Sequence, residues 1–464
     1  AAGVTTAVTF HLARGFLDIE WSVYAVHLGL ISAPYFLVLA TLALALQALI
    51  GHRFPAMLAF VALYVISLVA VEMDLTNNLI IPGARLPVHY NALAGFGHYL
   101  EPALWFRTYW GLLTGILVVV ALGVWIRGTE LAVRERYTGL RRTLRGATGT
   151  VALTLAVLAT GVGGFIAWNT HVRNPVESEH AREAQAAAYE RRYSEQRDAP
   201  QPKLDQVEGQ LEVFPETRHF TFSARYGLKN GTESSINSFL LVAPGGAQFD
   251  DLTVGRSARV ERDREHGVAR VRLDQPLAPD ARLTLDFELG SPPIRGFTNR
   301  PERTPVAHNG SILFYDDFLP TVGYNRGREL GDERAREDHG LPDRRPGVHP
   351  AGDPRGLAEQ AGQPYADWVS VDLTVGTTTG QVPLGQGERV AQWRNNDRRY
   401  ARFVTDSPVK LQLGVASGGY ETFETTYAGT DGSVRLAVHH FPGHSRNAAH
   451  LAETASITLE TLEE

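Results

Sequence analysis

A chain of 464 residues with a mean hydropathy of -0.12 and a formal net charge of -6 has room for two or three domains, each with its own core. It contains no cysteine, which excludes a disulfide framework, a thiolate zinc site and a cysteine nucleophile. Residues 1–173 carry 11 Arg, no Lys and 7 acidic residues, and the rest carries 33 basic and 43 acidic ones, so neither half offers a nucleic-acid footprint.

The chain opens Ala1-Ala2-Gly3, without a basic segment before an apolar run, so no signal peptide is read there. Four stretches are then long and apolar enough to cross a bilayer, which takes about 20 residues. They are roughly 28–50, 55–73, 109–126 and 150–168. None holds Lys or Arg, either of which would cost about 3 kcal/mol at a helix centre. Trp105, Tyr109, Trp110, Trp125 and Trp168 mark the ends of the last two spans, where amphipathic rings favour the headgroup level. Glu72 and Asp74 close the second span, where they snorkel to the interface.

The loops set an expected direction. The connection from Arg127 to Ala147 holds Arg127, Arg134, Arg136, Arg141, Arg142 and Arg145 against Glu130 and Glu135. The turn holding His52 and Arg53 lies on the same side, and the positive-inside rule makes that side cytoplasmic. Everything after Trp168 is then extracytoplasmic, and residues 1–27 begin outside, after an expected earlier helix. The region 1–173 therefore reads as a transmembrane bundle of a multi-pass protein in a bacterial cytoplasmic membrane, with the lipid bilayer as its first partner.

Residues 174–202 are rich in Ala, Glu, Gln and Arg, with Glu179/Arg182 and Arg191/Glu195 three or four apart. This pattern predicts a solvated linker helix, ended by Pro200 and Pro202. From Lys203 the period changes to two. Phe220, Phe222, Ala224, Tyr226 and Leu228 alternate with polar residues, as do Leu283, Leu285, Phe287 and Leu289. Val268–Leu273 alternates likewise, and 369–374, 399–405, 409–414, 420–426 and 434–440 supply further strands. The fold class expected is an α-helical transmembrane bundle of four spans, followed by an all-β, sandwich-like saddle domain over 203–444 built of antiparallel strands. Between its two strand groups, Tyr324–Ala366 reads as a long loop with at most one short helix. Residues 445–464 begin a following helical segment, and the uncapped ends at Ala1 and Glu464 read as the middle of a longer protein.

Candidate chemistry is sparse. His439, His440, His444 and His450 could ligate a metal, but adjacent strand residues face opposite ways and Pro442-Gly443 is a turn. Asp316 and Asp317 are neighbouring carboxylates with no accompanying base. Gly376–Gly380 lacks a P-loop lysine and reads as a hairpin turn, and Asn230 and Asn309 fit the glycosylation pattern. H-E-x-x-H and G-x-S-x-G are both absent, so no catalytic and no metal-binding residue is assigned.

A series of short segments nonetheless stands in a recognisable order. It begins with Gly95-Phe96-Gly97-His98-Tyr99, Trp125–Glu130, Asn169-Thr170 and Tyr189-Glu190-Arg191-Arg192-Tyr193. It continues with His308-Asn309-Gly310, Leu319–Asn325, Arg328-Glu329-Leu330, His339-Gly340-Leu341-Pro342, Ala366–Val369 and Pro442-Gly443-His444. The series resembles bacterial fusion proteins in which an ABC-type transporter permease region precedes an aminopeptidase N-like zinc peptidase.

The resemblance implies that Lys203–His444 is the peptidase's N-terminal β domain, which helps close the site gripping the substrate's free amino end. It implies weak substrate-binding candidates between Asn309 and Asp317, namely Asn309, Asp316 and Asp317. The family's G-x-M-E-N segment, its H-E-x-x-H with a downstream Glu and its catalytic Tyr would follow Glu464. No cofactor is expected in this chain; zinc belongs to that further domain, and an ATPase subunit is a further possible partner. The function implied is a membrane anchor and β domain, not catalytic by itself. Two alternatives remain open: a non-enzymatic permease-linked subunit whose β domain binds a peptide or protein, and an independent hydrolase using Asp316 and Asp317.

Overall fold

The computed structural model describes the chain except residues 1, 16–18, 73–76, 84–87, 92–94, 126–132, 175–177, 302–304, 346–349, 351, 355, 357–364, 431 and 464. Arg127, Glu130 and Asp74 lie outside the described residues, as do the side chains of Glu72, Arg134, Glu135 and Arg136. The chain divides into two compact units. One comprises Ala1–His89, His98–Val176 and Gly296–Glu302; the other comprises Tyr90–Gly97, Glu177–Arg295 and Arg303–Glu464.

The first unit is helical. Four of its helices are long and apolar enough to cross a membrane: Trp21–Ile50, Arg53–Ala70, Gly97–Val124 and Ala147–Arg173. Leu37, Leu58, Ile66, Leu153 and Val157 are exposed on them, an arrangement that lipid satisfies and water does not. A separate helix, Ala2–Ala13, precedes them. The first, third and fourth spans start before the apolar runs that announce them. The third begins before Arg107, whose guanidinium donates to the Gly83 carbonyl at 3.1 Å and so needs no lipid-facing position.

Trp110 departs from the aromatic-belt expectation. It is buried, and its indole N–H donates to the Asn78 carbonyl at 3.0 Å, whereas Trp125 and Trp168 are exposed. Glycines let the third and fourth spans approach each other: a Cβ at Gly163 would lie 2.9 Å from the Tyr109 ring, and one at Gly115 3.0 Å from Leu155. Residues Gly296–Glu302 belong to this unit. Phe297 packs with Ala103, Phe106 and Ile166, and its carbonyl accepts from Asn174 at 3.2 Å.

The second unit is built on sheets. Strands β1 (Lys203–Phe214), β2 (His219–Lys229), β4 (Gln248–Val254), β7 (Arg282–Gly290), β10 (Ala366–Thr378), β12 (Glu388–Asn395) and β13 (Arg398–Val404) form a seven-stranded sheet in the order β12-β13-β10-β1-β2-β7-β4. A four-stranded sheet holds β5 (Ala258–Asp263), β6 (Val268–Leu277), β3 (Ile236–Val242) and β9 (Thr321–Val322). A three-stranded sheet has β11 (Val382–Leu384), β14 (Gly414–Gly418) and β8 (Gly310–Phe314). Phe222, Tyr226 and Val371 of the first sheet, Phe239 and Val271 of the second, and Leu313 and Val415 of the third share one buried core. The alternation read in β2 and β7 is the alternation of their burial, since the polar partners occupy the opposite pleat.

The strand expectations need four corrections. β1 and β10 pair in parallel, Val207 opposite Val371, which the long crossover between Phe214 and Ala366 permits, while β2 pairs antiparallel on the other edge of β1. Residues 409–413 are not a strand; only an isolated bridge from Val409 to Val369 joins them to a sheet. Gly376–Thr378 is the end of β10, and the turn starts after it. Asp316 and Asp317 sit on a one-turn helix, Tyr315–Phe318, rather than on alternate faces of a strand. β15 (Glu421–Gly429) and β16 (Gly432–His440) form a separate hairpin, followed by the helix Ala448–Glu463.

The helix Glu179–Tyr193 belongs to this unit and is only half solvated, contrary to the sequence reading. Glu179 and Arg182 do pair. Its other face buries Ala187, Tyr189, Glu190 and Tyr193, and Tyr189 and Tyr193 pack with Leu240, Val242, Val268 and Tyr324.

Candidate functional site

Two places gather segments that are remote in sequence. The first is the end of the three-stranded sheet at Asn309. Register sets Ser311 of β8 against Ser417 of β14 and Gly310 against Gly418. Behind them lies a buried chain of polar groups. Thr377 and Ser417 hydroxyls meet at 2.6 Å, Ser417 donates to Gln381 Oε1 at 2.5 Å, and Gln381 Nε2 donates to the His308 carbonyl at 3.1 Å. Ser311 Oγ accepts from the Ala307 N–H at 3.2 Å. A satisfied network of this kind rigidifies what it supports, here the peptide on which Asn309 stands.

Asn309 Oδ1 is buried and has no hydrogen-bond partner. An unpaired buried acceptor costs about 1–3 kcal/mol, so this amide holds interaction capacity in reserve. Gly97 stands against the Asn309 amide with φ +52, where a Cβ would collide with Nδ2. Gly95, with φ +67, presses on His444, and a Cβ there would lie 3.1 Å from Nε2. Phe441 covers Gly310, and the Tyr420 ring lies tilted against Phe441 at 5.0 Å and His439 at 6.1 Å. Burial raises the Tyr420 phenol above its ordinary value and lowers the His439 imidazole below its own. The corner therefore brings aromatic rings, histidines and a buried spare acceptor together.

The aspartates take no part in it. Asn309 and Tyr315 are six residues apart along an extended strand, roughly 20 Å at ~3.3 Å per residue. Asp317 accepts from the Phe314 N–H at 2.7 Å and so caps its own short helix; burial raises its carboxyl above the usual range. Asp316 is exposed. The pair is a capping residue and a solvated neighbour.

The histidine cluster also separates. His440 is buried with Nδ1 on the Phe441 carbonyl at 3.0 Å, His439 meets the Thr422 hydroxyl at 3.0 Å, and His450 pairs with Glu453 on an exposed helix face. Among the described residues, the groups able to hold a metal are His180, Glu183 and His339, and Asp263, Glu265 and His266. Asp263 is already saturated by the Tyr193 hydroxyl at 2.6 Å, His266 Nδ1 at 3.0 Å and Arg192 at 3.3 Å. Asn230 is buried with both ends of its amide bonded, so it takes no sugar in the folded state.

The second gathering place surrounds the helix Glu179–Tyr193. Tyr189 stacks on Tyr324 at 5.4 Å, and its hydroxyl accepts from the Asn325 N–H at 2.9 Å. Burial pushes the Tyr189 phenol up to about 12. Glu190 receives both terminal nitrogens of Arg336 at 2.8 Å, and Arg336 donates further to the carbonyls of Leu330 and Pro342. Arg197 joins Glu190 at 3.4 Å to Glu329 at 2.6 Å. Those hydrogen bonds from Arg336 hold the Glu190 carboxyl below the usual range. Sequence reading missed Glu190 and Arg336 as partners, because 146 residues separate them.

The outer face of the seven-stranded sheet is a shallow concavity of about 770 Å³ lined by Glu208, Arg225, Asp286, Asp372, Trp393 and Arg402. Both of its arginines pair across strands, Arg225 with Asp286 at 2.8 Å and Arg402 with Asp372, while Glu208 adds a further acidic group.

No protein-family model matches the chain, and no curated protein matches its sequence. Among solved structures it is similar to an M1 zinc metallopeptidase from Deinococcus radiodurans, at 15% identity and a TM-score of 0.35, over 52% of this chain and 48% of the other. It is likewise similar to a variant of that metallopeptidase bound to a Tyr-Ser-Ala substrate, at 16% identity and a TM-score of 0.35, over 55% and 52%. The chain thus spans about half the length of the solved structures it matches.

Proposed function

We propose that this chain is the membrane anchor and sandwich-like, N-terminal β domain of an envelope zinc aminopeptidase fused to transporter-permease-like helices. One observation carries the reading. The segments on which the resemblance rests meet in the fold: Gly95 and Gly97 stand against His444 and Asn309, and Tyr189 against Tyr324 and Asn325, while Arg336 ties Glu190 to the carbonyls of Leu330 and Pro342. Matches scattered by chance have no reason to converge on two spots.

In this reading Asn309 grips the free amino end of a peptide. An ammonium group donates hydrogen bonds, and Asn309 Oδ1 is a buried acceptor without one. A neutral amide oxygen orients the amine without holding it as tightly as a carboxylate would. The family's catalytic zinc has no seat here, since the chain lacks H-E-x-x-H, and the chain by itself performs no hydrolysis. A catalytic domain following Glu464 supplies that chemistry, and the β domain lies outside the cytoplasmic membrane.

Two measurements test the proposal. Reading the gene past Glu464 is expected to reveal H-E-x-x-H within a domain's length, about 150 residues; its absence sinks the peptidase reading in favour of a non-enzymatic binding subunit. Orientation is tested by single cysteines, which are unambiguous in a chain that has none. Glu233→Cys is expected to react with an impermeant maleimide in intact cells and Arg142→Cys only after lysis; the reverse pattern overturns the topology.

A further inference from the structure

The start of the helix Glu179–Tyr193 carries an arrangement that the peptidase reading leaves unused. Ser178 caps this helix, accepting from the Ala181 N–H at 3.1 Å. His180 and Glu183 then lie three residues apart on one face, His180 Nδ1 standing 4.0 Å from a Glu183 carboxylate oxygen. A second imidazole arrives from elsewhere. His339 ends the short helix Glu333–Asp338, and its ring lies 5.8 Å from that of His180 with 28° between the planes. One donor atom from each of the three residues lies within 4.8 Å of the other two.

Two imidazoles and a carboxylate are the donor set of zinc-class divalent cations. A tetrahedral ion with bonds of ~2.0–2.1 Å holds its donors about 3.4 Å apart, so the site closes by side-chain rotations of roughly 1 Å. His180 is 82% exposed and free to make them. The backbone beneath is fixed: Arg336 binds Glu190 of one helix and the carbonyls of Leu330 and Pro342 on either side of the other, and Arg191 donates to the His339 carbonyl. Fixed backbones with adjustable side chains make a chelate out of neighbours, because the entropy of bringing the ligands together is already spent.

We propose that His180, Glu183 and His339 bind a zinc-class divalent cation, with water completing its shell, and that the ion clasps the start of the helix Glu179–Tyr193 to the segment ending at His339. This site is separate from the catalytic zinc expected in a following domain, and it does not depend on that reading.

The test uses the 464-residue chain in detergent, free of any histidine tag and stripped of metal. Zn²⁺ titration by calorimetry is expected to show one site. Co²⁺ is expected to give the visible absorption of a low-coordinate nitrogen and oxygen site. His180→Ala, Glu183→Gln and His339→Ala should each weaken binding by about tenfold or more, the scale set by loss of even supporting groups around a metal. The far-ultraviolet dichroism of the exposed-site variant His180→Ala should stay unchanged. Zn²⁺ should also slow amide exchange in residues 179–186 of the native chain and not of His180→Ala. Two results overturn the proposal: a native affinity weaker than on the order of 1 mM, or binding that survives in the His180→Ala/His339→Ala double variant.

Discussion

Replacing Arg336 by alanine attacks the most heavily used guanidinium described in the β unit. Its side chain and that of Glu190 are 3% and 4% exposed, and the pair is bidentate with both contacts at 2.8 Å. Alanine leaves the Glu190 carboxylate buried with Arg197 at 3.4 Å and the Leu330 backbone N–H, and strips a donor from the carbonyls of Leu330 and Pro342. Breaking a buried pair from one side costs about 3–5 kcal/mol, whereas replacing both partners with apolar residues of similar size is often neutral. Hydrogen exchange of the whole chain in detergent reads this locally. If the loss is confined to opening of the helix Glu179–Tyr193, its slow amides should exchange about 10² to several times 10³ faster, at ~1.4 kcal/mol per tenfold. Glu190→Leu/Arg336→Met should recover most of that protection. The same linkage has a pH sign: a carboxyl held low contributes stability above its unfolded value, which is lost as pH falls below about 4.5 through the folded value. If Arg336→Ala changed protection less than tenfold, or the double variant exchanged as fast as the single one, the pair would not be what holds the helix Glu179–Tyr193 in place.

Other expectations are more local. Burial lowers both His219 and His439, so the unfolded chain takes up protons first as pH falls through 6.5; the melting temperature should drop between pH 7.5 and 5.5, and less so in His219→Gln/His439→Gln. Tyr226 is fully buried with its hydroxyl on the Pro320 carbonyl at 3.2 Å, so Tyr226→Phe should cost about 1–3 kcal/mol in denaturant titration; a neutral result would mean the carbonyl finds another donor. Gly163→Leu must displace the Tyr109 ring that a Cβ there would touch at 2.9 Å, and should destabilise the helical unit by about 1–3 kcal/mol, read as a lower thermal aggregation temperature in detergent. Gly161→Leu, with open space at its Cβ, is the control and should change little.

How much of this was legible depends on whether the signal was local. The four apolar helices were legible because lipid imposes the same demand on every residue of a span, and the strands β2 and β7 because their burial alternates with the pleat. Trp110 misled because an indole at a span's end looks the same whether its N–H faces headgroups or the Asn78 carbonyl. The parallel pairing of β1 with β10 was invisible for a different reason: parallel and antiparallel neighbours share one side-chain period, and only the path of the chain distinguishes them.

The site lies at the far end of that scale. The His308-Asn309-Gly310 segment marked Asn309 as a candidate, but its sequence neighbours do not say what surrounds it. Its meaning comes from Gly97, more than 200 residues earlier, and from Gln381 and Ser417 behind it, which hold the His308 peptide. Asp316 and Asp317 were the louder signal, two charges side by side, yet one is spent on a helix cap and the other faces water. Adjacent charges are cheap at a surface, whereas a buried amide oxygen without a partner is costly, and a fold keeps a costly group only where something offsets it. That asymmetry is why Asn309, rather than the aspartates, is the residue to mutate first in the full-length peptidase proposed above: under that proposal Asn309→Leu should raise KM for peptides with a free amino end and leave amino-blocked peptides unaffected, and equal loss on both would remove Asn309 from substrate binding.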